Sequence, residues 1–338
     1  MRKVAHIGAV GCALLILSGA AGVQTEQAEQ AERAERAERA HQPAQTRGGR
    51  VQFAVGVESV TLDVVVVDER GRFVPGFTAS DFVILDGGEP QEIQFFTAEF
   101  TPVTTMLLLD SSSSIRSNLS AIQTAGYLFA RNLSEGDTAR IGLFGNGVRF
   151  GPGFTDDLSE HYAILGSMRA AGKTALYDAI ITALEEVGVV DGRKSLLVFT
   201  DGDDSGPAQH GSESTMEDAI EAAKMSEVTI DTIGFTGWGA DGSDSVNRPF
   251  LTTLAEATGG RAYFPEDIEA VKDAFKDVQE DLHRHYRMAY IPAEKPEPEP
   301  GVEPAATWRP LEVFVKNRDD LIVRTRQGYY SSTDETFD

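Results

Sequence analysis

The chain of 338 residues is long enough for two domains of ordinary size. Its net charge of −23 argues against nucleic acid and anionic membrane surfaces as partners, and favours solubility and cation binding. A single cysteine, Cys12, leaves no intrachain disulfide, so an exported form must draw its stability from its core and any bound metal.

At the start, Arg2 and Lys3 precede an apolar stretch at 7–17 and the small residues Ser18-Gly19-Ala20-Ala21, which predicts a secretory signal over residues 1–21. The apolar run is shorter than the roughly 20 residues of a bilayer span, so no membrane insertion is expected after cleavage; an uncleaved anchor is the alternative. Cys12 precedes most of that stretch, whereas a lipid-attachment cysteine would follow it. The expected location is periplasmic or extracellular, and loss of Arg2 and Lys3 takes the charge from −23 to −25. Residues 26–40 are a triplet repeat, EQAEQAERAERAERA. Its residues are good helix formers, but an apolar position every third residue makes no core-facing stripe. Residues 22–50 are therefore expected to be a semi-rigid, solvated spacer ending in a flexible stretch, with a coiled coil as the alternative.

Residues 51–101 are β-rich, with strand-like runs at 51–57, 60–67, 82–85 and 93–100 separated by turns at 68–72 and 86–88. The texture then changes. Residues 104–109 (TTMLLL) read as a strand buried on both faces. They end in Asp110-Ser111-Ser112-Ser113-Ser114, after which Ile115, Leu119, Ile122, Ala125 and Phe129 follow a helical pattern. Asp110, Ser112 and Ser114 thus lie where a buried strand hands over to a helix, the crevice in which open α/β sheets bind ligands. Oxygen-only groups there suit a hard divalent cation such as Mg²⁺. Taken alone, the pentapeptide reads equally well as a helix N-cap.

Further along, residues 137–144 read as a strand and 157–168 as a helix. Gly172-Lys173-Thr174 is a loop in which Thr174 opens a helix running to about Val187. Residues 194–200 (KSLLVFT) form a second buried strand ending in Asp201-Gly202-Asp203-Asp204. A helix at 216–225, a strand at 228–234, a helix at 250–257 and a short strand at 261–264 follow. A long helix at 266–283 carries Ile268, Val271, Phe275, Val278 and Leu282 on one face. Strands alternating with helices predict an α/β, doubly wound, mostly parallel sheet over roughly 102–285. Beyond it, residues 286–291, 311–315 and 321–326 are strand-like, interrupted by an acidic Pro-rich loop at 292–304. Neither flank can close a sandwich alone, but together they hold about seven strands, which matches an immunoglobulin-like β-sandwich. The expected organisation is one sandwich built from 51–101 and 286–330, with the α/β domain inserted and 331–338 as a tail.

With these segments in place, the chain resembles the von Willebrand factor A (VWA) domain with its metal-ion-dependent adhesion site. That site is written as Asp-x-Ser-x-Ser, a later Thr, and an Asp in a Thr-Asp-Gly turn. Asp110, Ser112 and Ser114, Thr174 in TALYDAI, and Asp201 in FTDGDD match it in order. The resemblance implies a Rossmann-like fold and a bound Mg²⁺, with Mn²⁺ or Ca²⁺ as alternatives. It further implies Ser112, Ser114 and Thr174 as direct ligands, and Asp110 and Asp201 as orienting groups that coordinate directly or through water. An Asp or Glu of a partner protein would fill the open coordination position. The flank wording, VVDERGRFVPGFTASDFVILDGGEPQEIQFF and a late RTRQGYY, resembles a group of exported bacterial VWA-related proteins over nearly the whole mature chain. That group usually carries Gly-Gly-Thr where this chain has Gly172-Lys173-Thr174. Lys173 therefore places a positive charge beside the ion, either weakening metal affinity or contacting an acidic ligand.

Three rival readings compete with this one. A P-loop needs a glycine five positions before Gly172, but Ser167 stands there and Gly166 is one residue too far. Metal-assisted hydrolysis wants a general base, yet of His161, His210, His283 and His285 only His210 lies near the site loops. The expectation is a binding module and no enzyme, with an envelope scaffold carrying an idle site as the alternative. Asp203, Asp204, Asp241 and Asp244 are expected to form an acidic rim, since residues 241–245 lack the distal Glu of a calcium loop.

Overall fold

The computed structural model describes residues 59–235, 246–292 and 307–331, with backbone alone at 45–47 and 50–52. The expected leader, the triplet repeat, residues 53–57, Asp241, Asp244, most of the Pro-rich loop and the tail beyond Ser331 lie outside the described residues. A two-stranded pair at 45–47 and 50–52 comes first, and four strands lie between residues 59 and 100: β1 (Val60–Val67), β2 (Phe82–Asp86), β3 (Glu89–Gln91) and β4 (Phe95–Thr97). The alternating region follows: β5 (Val103–Asp110), α1 (Leu119–Arg131), β6 (Thr138–Phe144), β7 (Val148–Phe150), α2 (Leu158–Gly166), α3 (Leu176–Gly188) and β8 (Arg193–Thr200). It continues through α4 (Met216–Met225), β9 (Thr229–Gly234), α5 (Arg248–Thr258), β10 (Ala262–Tyr263) and α6 (Ile268–His283). Last come β11 (Tyr286–Tyr290), β12 (Trp308–Val315), β13 (Ile322–Arg324) and β14 (Gly328–Tyr330).

The central sheet has the order β10-β9-β8-β5-β6-β7, parallel throughout except for the antiparallel edge strand β7. Both faces are covered, which is why its strands read as continuous apolar runs. Leu107 and Leu109 of β5 and Leu197 and Phe199 of β8 pack with Phe129 of α1, Leu165 of α2 and Phe275 of α6. The alternate residues Met106, Leu108, Leu196 and Val198 pack on Ile180 of α3, Ala219 of α4 and Leu254 of α5. From β5 the chain winds one way to β6, then returns to β8 on the other side of β5. The strand order therefore reverses between β5 and β8, and the crevice at their carboxyl ends is the expected ligand position.

The flanking strands form two antiparallel four-stranded sheets, β13-β1-β11-β4 and β14-β12-β2-β3. Each sheet takes strands from both sides of the α/β region. They share one apolar cluster in which Leu62, Val64 and Val66 of β1 and Tyr286 and Met288 of β11 meet Phe82 and Ile84 of β2 and Leu311 of β12. Buried Asp86 ties the two sheets together, accepting from Tyr290 Oη (2.9 Å), Tyr329 Oη (2.9 Å) and Arg309 Nε (2.6 Å). Eight described strands stand in these sheets where the sequence shows about seven: β3 and β14 are three-residue pieces with no apolar run of their own, while the strand expected at 51–57 joins neither sheet, its residues 50–52 pairing with 45–47 instead.

The first sheet meets the amino end of β8 through charge. Asp63 of β1 accepts from Arg193 Nε (3.1 Å), Arg287 Nε (2.8 Å) and Arg287 Nη2 (3.0 Å). Burial would raise the Asp63 carboxyl, but Arg193 and then Arg287 outweigh it and hold it well below the usual carboxylate range.

Candidate metal centre

β5 and β8 end side by side, and their last residues start the site. Asp110 closes β5 with no exposed surface. Its Oδ1 accepts from the Ser112 N–H at 2.8 Å and its Oδ2 from Thr200 Oγ1 at 3.0 Å, so both carboxylate oxygens are oriented by neighbours. The hydroxyls of Ser112 and Ser114 are 2.8 Å apart. Ser114 in turn hydrogen-bonds the carboxylate of Asp201, which follows β8. Asp110, Ser112, Ser114 and Asp201 thus form one connected set. The N-cap alternative fails on geometry: Ser112 precedes a 3₁₀ turn at Ser113–Asn118, but its side chain makes no capping bond.

The third loop is bonded directly to the first. Gly172 O accepts from both Ser113 N (3.1 Å) and Ser113 Oγ (2.7 Å). Gly172 has φ +85°, and a Cβ there would lie 2.6 Å from Asn146 Oδ1, so only glycine suits the position. Thr174 is buried, its N–H donating to Ser205 Oγ at 3.1 Å and its carbonyl accepting from Ser205 N at 2.9 Å. The helix after it, α3, begins at Leu176 rather than at Thr174. Its first turn is held by Asp204, which accepts from Leu176 N (2.6 Å), Gly206 N (2.6 Å), Ser212 N (3.1 Å) and Ser212 Oγ (2.7 Å). Asp204 is therefore a tie between loops and no part of an open rim, whereas Asp203 is exposed as expected.

The electrostatics single out Asp110. Burial, and then the charge of Asp201, push its carboxyl up to about 7, against the opposing bonds from Ser112 and Thr200. Burial also raises Asp201. Two carboxylates held together in a desolvated place, with hydroxyls between them, are an arrangement that a cation completes. Among the described residues no group of three or more His, Cys, Asp or Glu could hold a metal. The set here is of another kind, neutral hydroxyls with two carboxylates, and its all-oxygen chemistry fits a hard ion such as Mg²⁺.

The rivals are placed as follows. The segment ahead of Gly172-Lys173-Thr174 is helix α2 and no strand, and the Lys173 Nζ reaches Gln209 Oε1 at 3.4 Å. His161 Nε2 lies 3.1 Å from Thr155 O, His283 Nε2 2.8 Å from Asp137, and His285 is buried beside Asp63 at the far end of the sheet. His210 caps a 3₁₀ turn with φ 60°. The supporting residues Asn146, Thr200 and Ser205 escaped the sequence reading, and Asp204, expected in the rim, was not foreseen as a tie between loops. Only Asp204 and Ser205, in the same acidic loop as Asp201, carried any signal. Beside the loops, Arg149, Ser167, Arg169 and Gly172 line a shallow basin of about 350 Å³ that reaches Ser111.

Residues 105–203 match the von Willebrand factor type A domain family, a span that contains every residue of the set from Asp110 to Asp201. A UPF0353 protein of Mycolicibacterium vanbaalenii is 24% identical over 199 residues, 52% of this chain and 59% of that relative's length. Its counterpart in Mycolicibacterium gilvum is 25% identical over the same share, so the chain spans well under two thirds of these relatives. Among solved structures, a von Willebrand factor type A protein from Catenulispora acidiphila has TM-score 0.46 and 14% identity, over 83% of this chain and 76% of that one. The vWF domain of the type V pili tip protein Mfa5 from Porphyromonas gingivalis has TM-score 0.44 and 13% identity, over 55% of this chain and 98% of its own. The family match thus falls on the site-bearing half of the α/β region, and the chain carries there a segment related to VWA domains.

Proposed function

We propose that the chain is a docking module that captures an Asp or Glu of a partner protein through a divalent cation, Mg²⁺ by preference and Mn²⁺ or Ca²⁺ as substitutes. One observation carries this reading. Asp110, wholly buried, and Asp201 are joined through two serine hydroxyls, and the charge acting on Asp110 is another carboxylate. Such a pair is costly unless a cation lies between its members. Ser112, Ser114 and Thr174 would hold the ion with neutral oxygens, and Asp110 and Asp201 would orient them and balance charge. When bound, the ion supplies a Lewis-acidic point at which a carboxylate can attach. The chain's own part is to keep Asp110 aimed through Ser112 N–H and Thr200, and to keep Thr174 clamped by Ser205.

The rim supports an acidic partner. Arg149 and Arg169 line the neighbouring basin, and Lys173 stands in the Thr174 loop, so Lys173 is read as a contact for the ligand. The positions of His161, His283 and His285 support binding over hydrolysis. The shared core of the two antiparallel sheets supports treating 51–101 and 286–330 as one immunoglobulin-like sandwich that carries residues 102–285 as an insert. Export rests on the expected leader; among the described residues no helix is long and apolar enough to cross a membrane.

Titration calorimetry with MgCl₂ tests the site: one ion per chain is expected for the wild type and none for Asp110→Ala. Equal binding by both would place the metal elsewhere. Capture of a protein from the exported fraction in Mg²⁺ and its loss in EDTA would extend the reading to docking. Retention in EDTA would favour a scaffold with an idle site.

A further inference from the structure

A cavity of about 270 Å³ opens at the end of the central sheet opposite the metal centre, where β8 and β9 begin and β1 and β11 pass. Five cationic side chains line it, Arg193, Lys194, Lys224, Arg287 and Arg326, against the two carboxylates Asp63 and Glu227. This local excess of positive charge stands in a chain whose net charge is −23. Both carboxylates are already engaged, Asp63 by Arg193 and Arg287, and Glu227 by Lys194 at 3.3 Å.

Two donors on the wall are unmatched. Arg193 is 4% exposed; its Nε holds Asp63, but its Nη1 has no hydrogen-bond partner. The buried Oγ1 of Thr325 has none either. A buried guanidinium N–H without an acceptor is among the more costly omissions in a folded protein. An anion with several oxygens is the ligand that fits. It can accept from the guanidinium edge and the hydroxyl together, and it draws on the charge of Arg326 and of Lys224, whose own partner Glu221 stands 3.9 Å away. The volume is below that of drug-sized pockets and admits a small ion or a short ester.

We propose that this cavity binds a small oxyanion of the phosphate class, with Arg193 and Thr325 as hydrogen-bond donors and Lys224 and Arg326 supplying charge. The site is separate from the metal centre and stands or falls without it.

Titration calorimetry of the full chain with inorganic phosphate, at ionic strength held constant with chloride, tests this. A parallel titration with glycerol 2-phosphate separates a free ion from a phosphate monoester by which of the two binds tighter. The expected result is saturable binding to the wild type, weakened about tenfold or more in Thr325→Val and in Lys224→Gln, as loss of a bond to a charged group predicts. Both variants leave the Asp63–Arg193 pair intact, and thermal melts in chloride check that they fold as the wild type does. Absence of saturable binding to the wild type, or phosphate affinity undiminished in both folded variants, overturns the proposal.

Discussion

β8 has buried charge at each end, and the two ends are built in opposite ways. At its start, Arg193 and Arg287 surround Asp63, whose carboxyl is held far below its ordinary range. At its finish, Asp201 faces Asp110 across serine hydroxyls, and Asp110 is pushed up to about 7. The same residue type and comparable burial thus give opposite shifts, decided by the sign of the neighbouring charge. The first arrangement gives its carboxylate two guanidinium partners and joins two parts of the fold. In the second the charge acting on Asp110 is another carboxylate, and the proposed cation site rests on that feature.

The largest effect is expected from breaking the paired end. Asp63→Ala strands Arg193 and takes a partner from Arg287, and losing one partner of a buried charge group costs about 3–5 kcal/mol. Urea unfolding measures it. A loss below about 1 kcal/mol would mean that the cluster behaves as a solvated surface group. The sign with pH follows from the depressed value. Asp63 contributes fully above the unfolded carboxylate pKa of 3.8, and the contribution is lost as pH falls below that towards the folded value.

The metal end should respond to pH in the other direction. Asp110 titrates near 7 when folded and near 3.8 when unfolded, so the folded state holds its proton more tightly between those values. Without divalent metal, stability should fall as pH rises from about 4 to about 7, by about 2 kcal/mol or more. Mg²⁺ at neutral pH should restore it, because the ion binds the ionised form. Unfolding curves across pH in EDTA and in MgCl₂, with Asp110→Asn as the variant that flattens the slope, sharpen the contrast. A metal-free wild type that gains stability over the same window would put Asp110 in the same class as Asp63.

The smallest effect isolates a single proposed ligand. Val has nearly the shape of Thr without the hydroxyl, so Thr174→Val should leave the melting temperature in EDTA little changed. Capture of an acidic partner in Mg²⁺ should weaken by about 2 kcal/mol, roughly thirtyfold. Equal capture by Thr174→Val and the wild type would remove Thr174 from the metal set and leave only the carboxylate–serine pair to be explained.

Much of the α/β region was legible in advance because its signals are local. Continuous apolar runs at 104–109 and 194–200 marked strands covered on both faces, and both became central strands. The pentapeptide from Asp110 to Ser114 had to share one loop. Short pieces were less legible: β7, β3 and β14 have three residues each, and pairing to a neighbour, rather than any alternation of their own, makes them strands. The 93–100 run shrank to Phe95–Thr97, since a β-rich composition does not say how many residues find a partner.

The candidate site divides along the same line. From the sequence alone came the residue types and their order: Asp110, Ser112 and Ser114 together, then Thr174, then Asp201. Hydroxyl and carboxylate oxygens at strand ends are a property of a few adjacent positions. What only the tertiary structure decided is the part each acidic residue plays. Asp204, three positions after Asp201, spends its carboxylate on loop amides and Ser212, while Asp201 is left to Ser114 and the crevice. Asp63 meets Arg193 across 130 positions and Arg287 across 224. Burial and the sign of the nearest charge set what a carboxylate does, and both depend on which distant segments the fold brings alongside it.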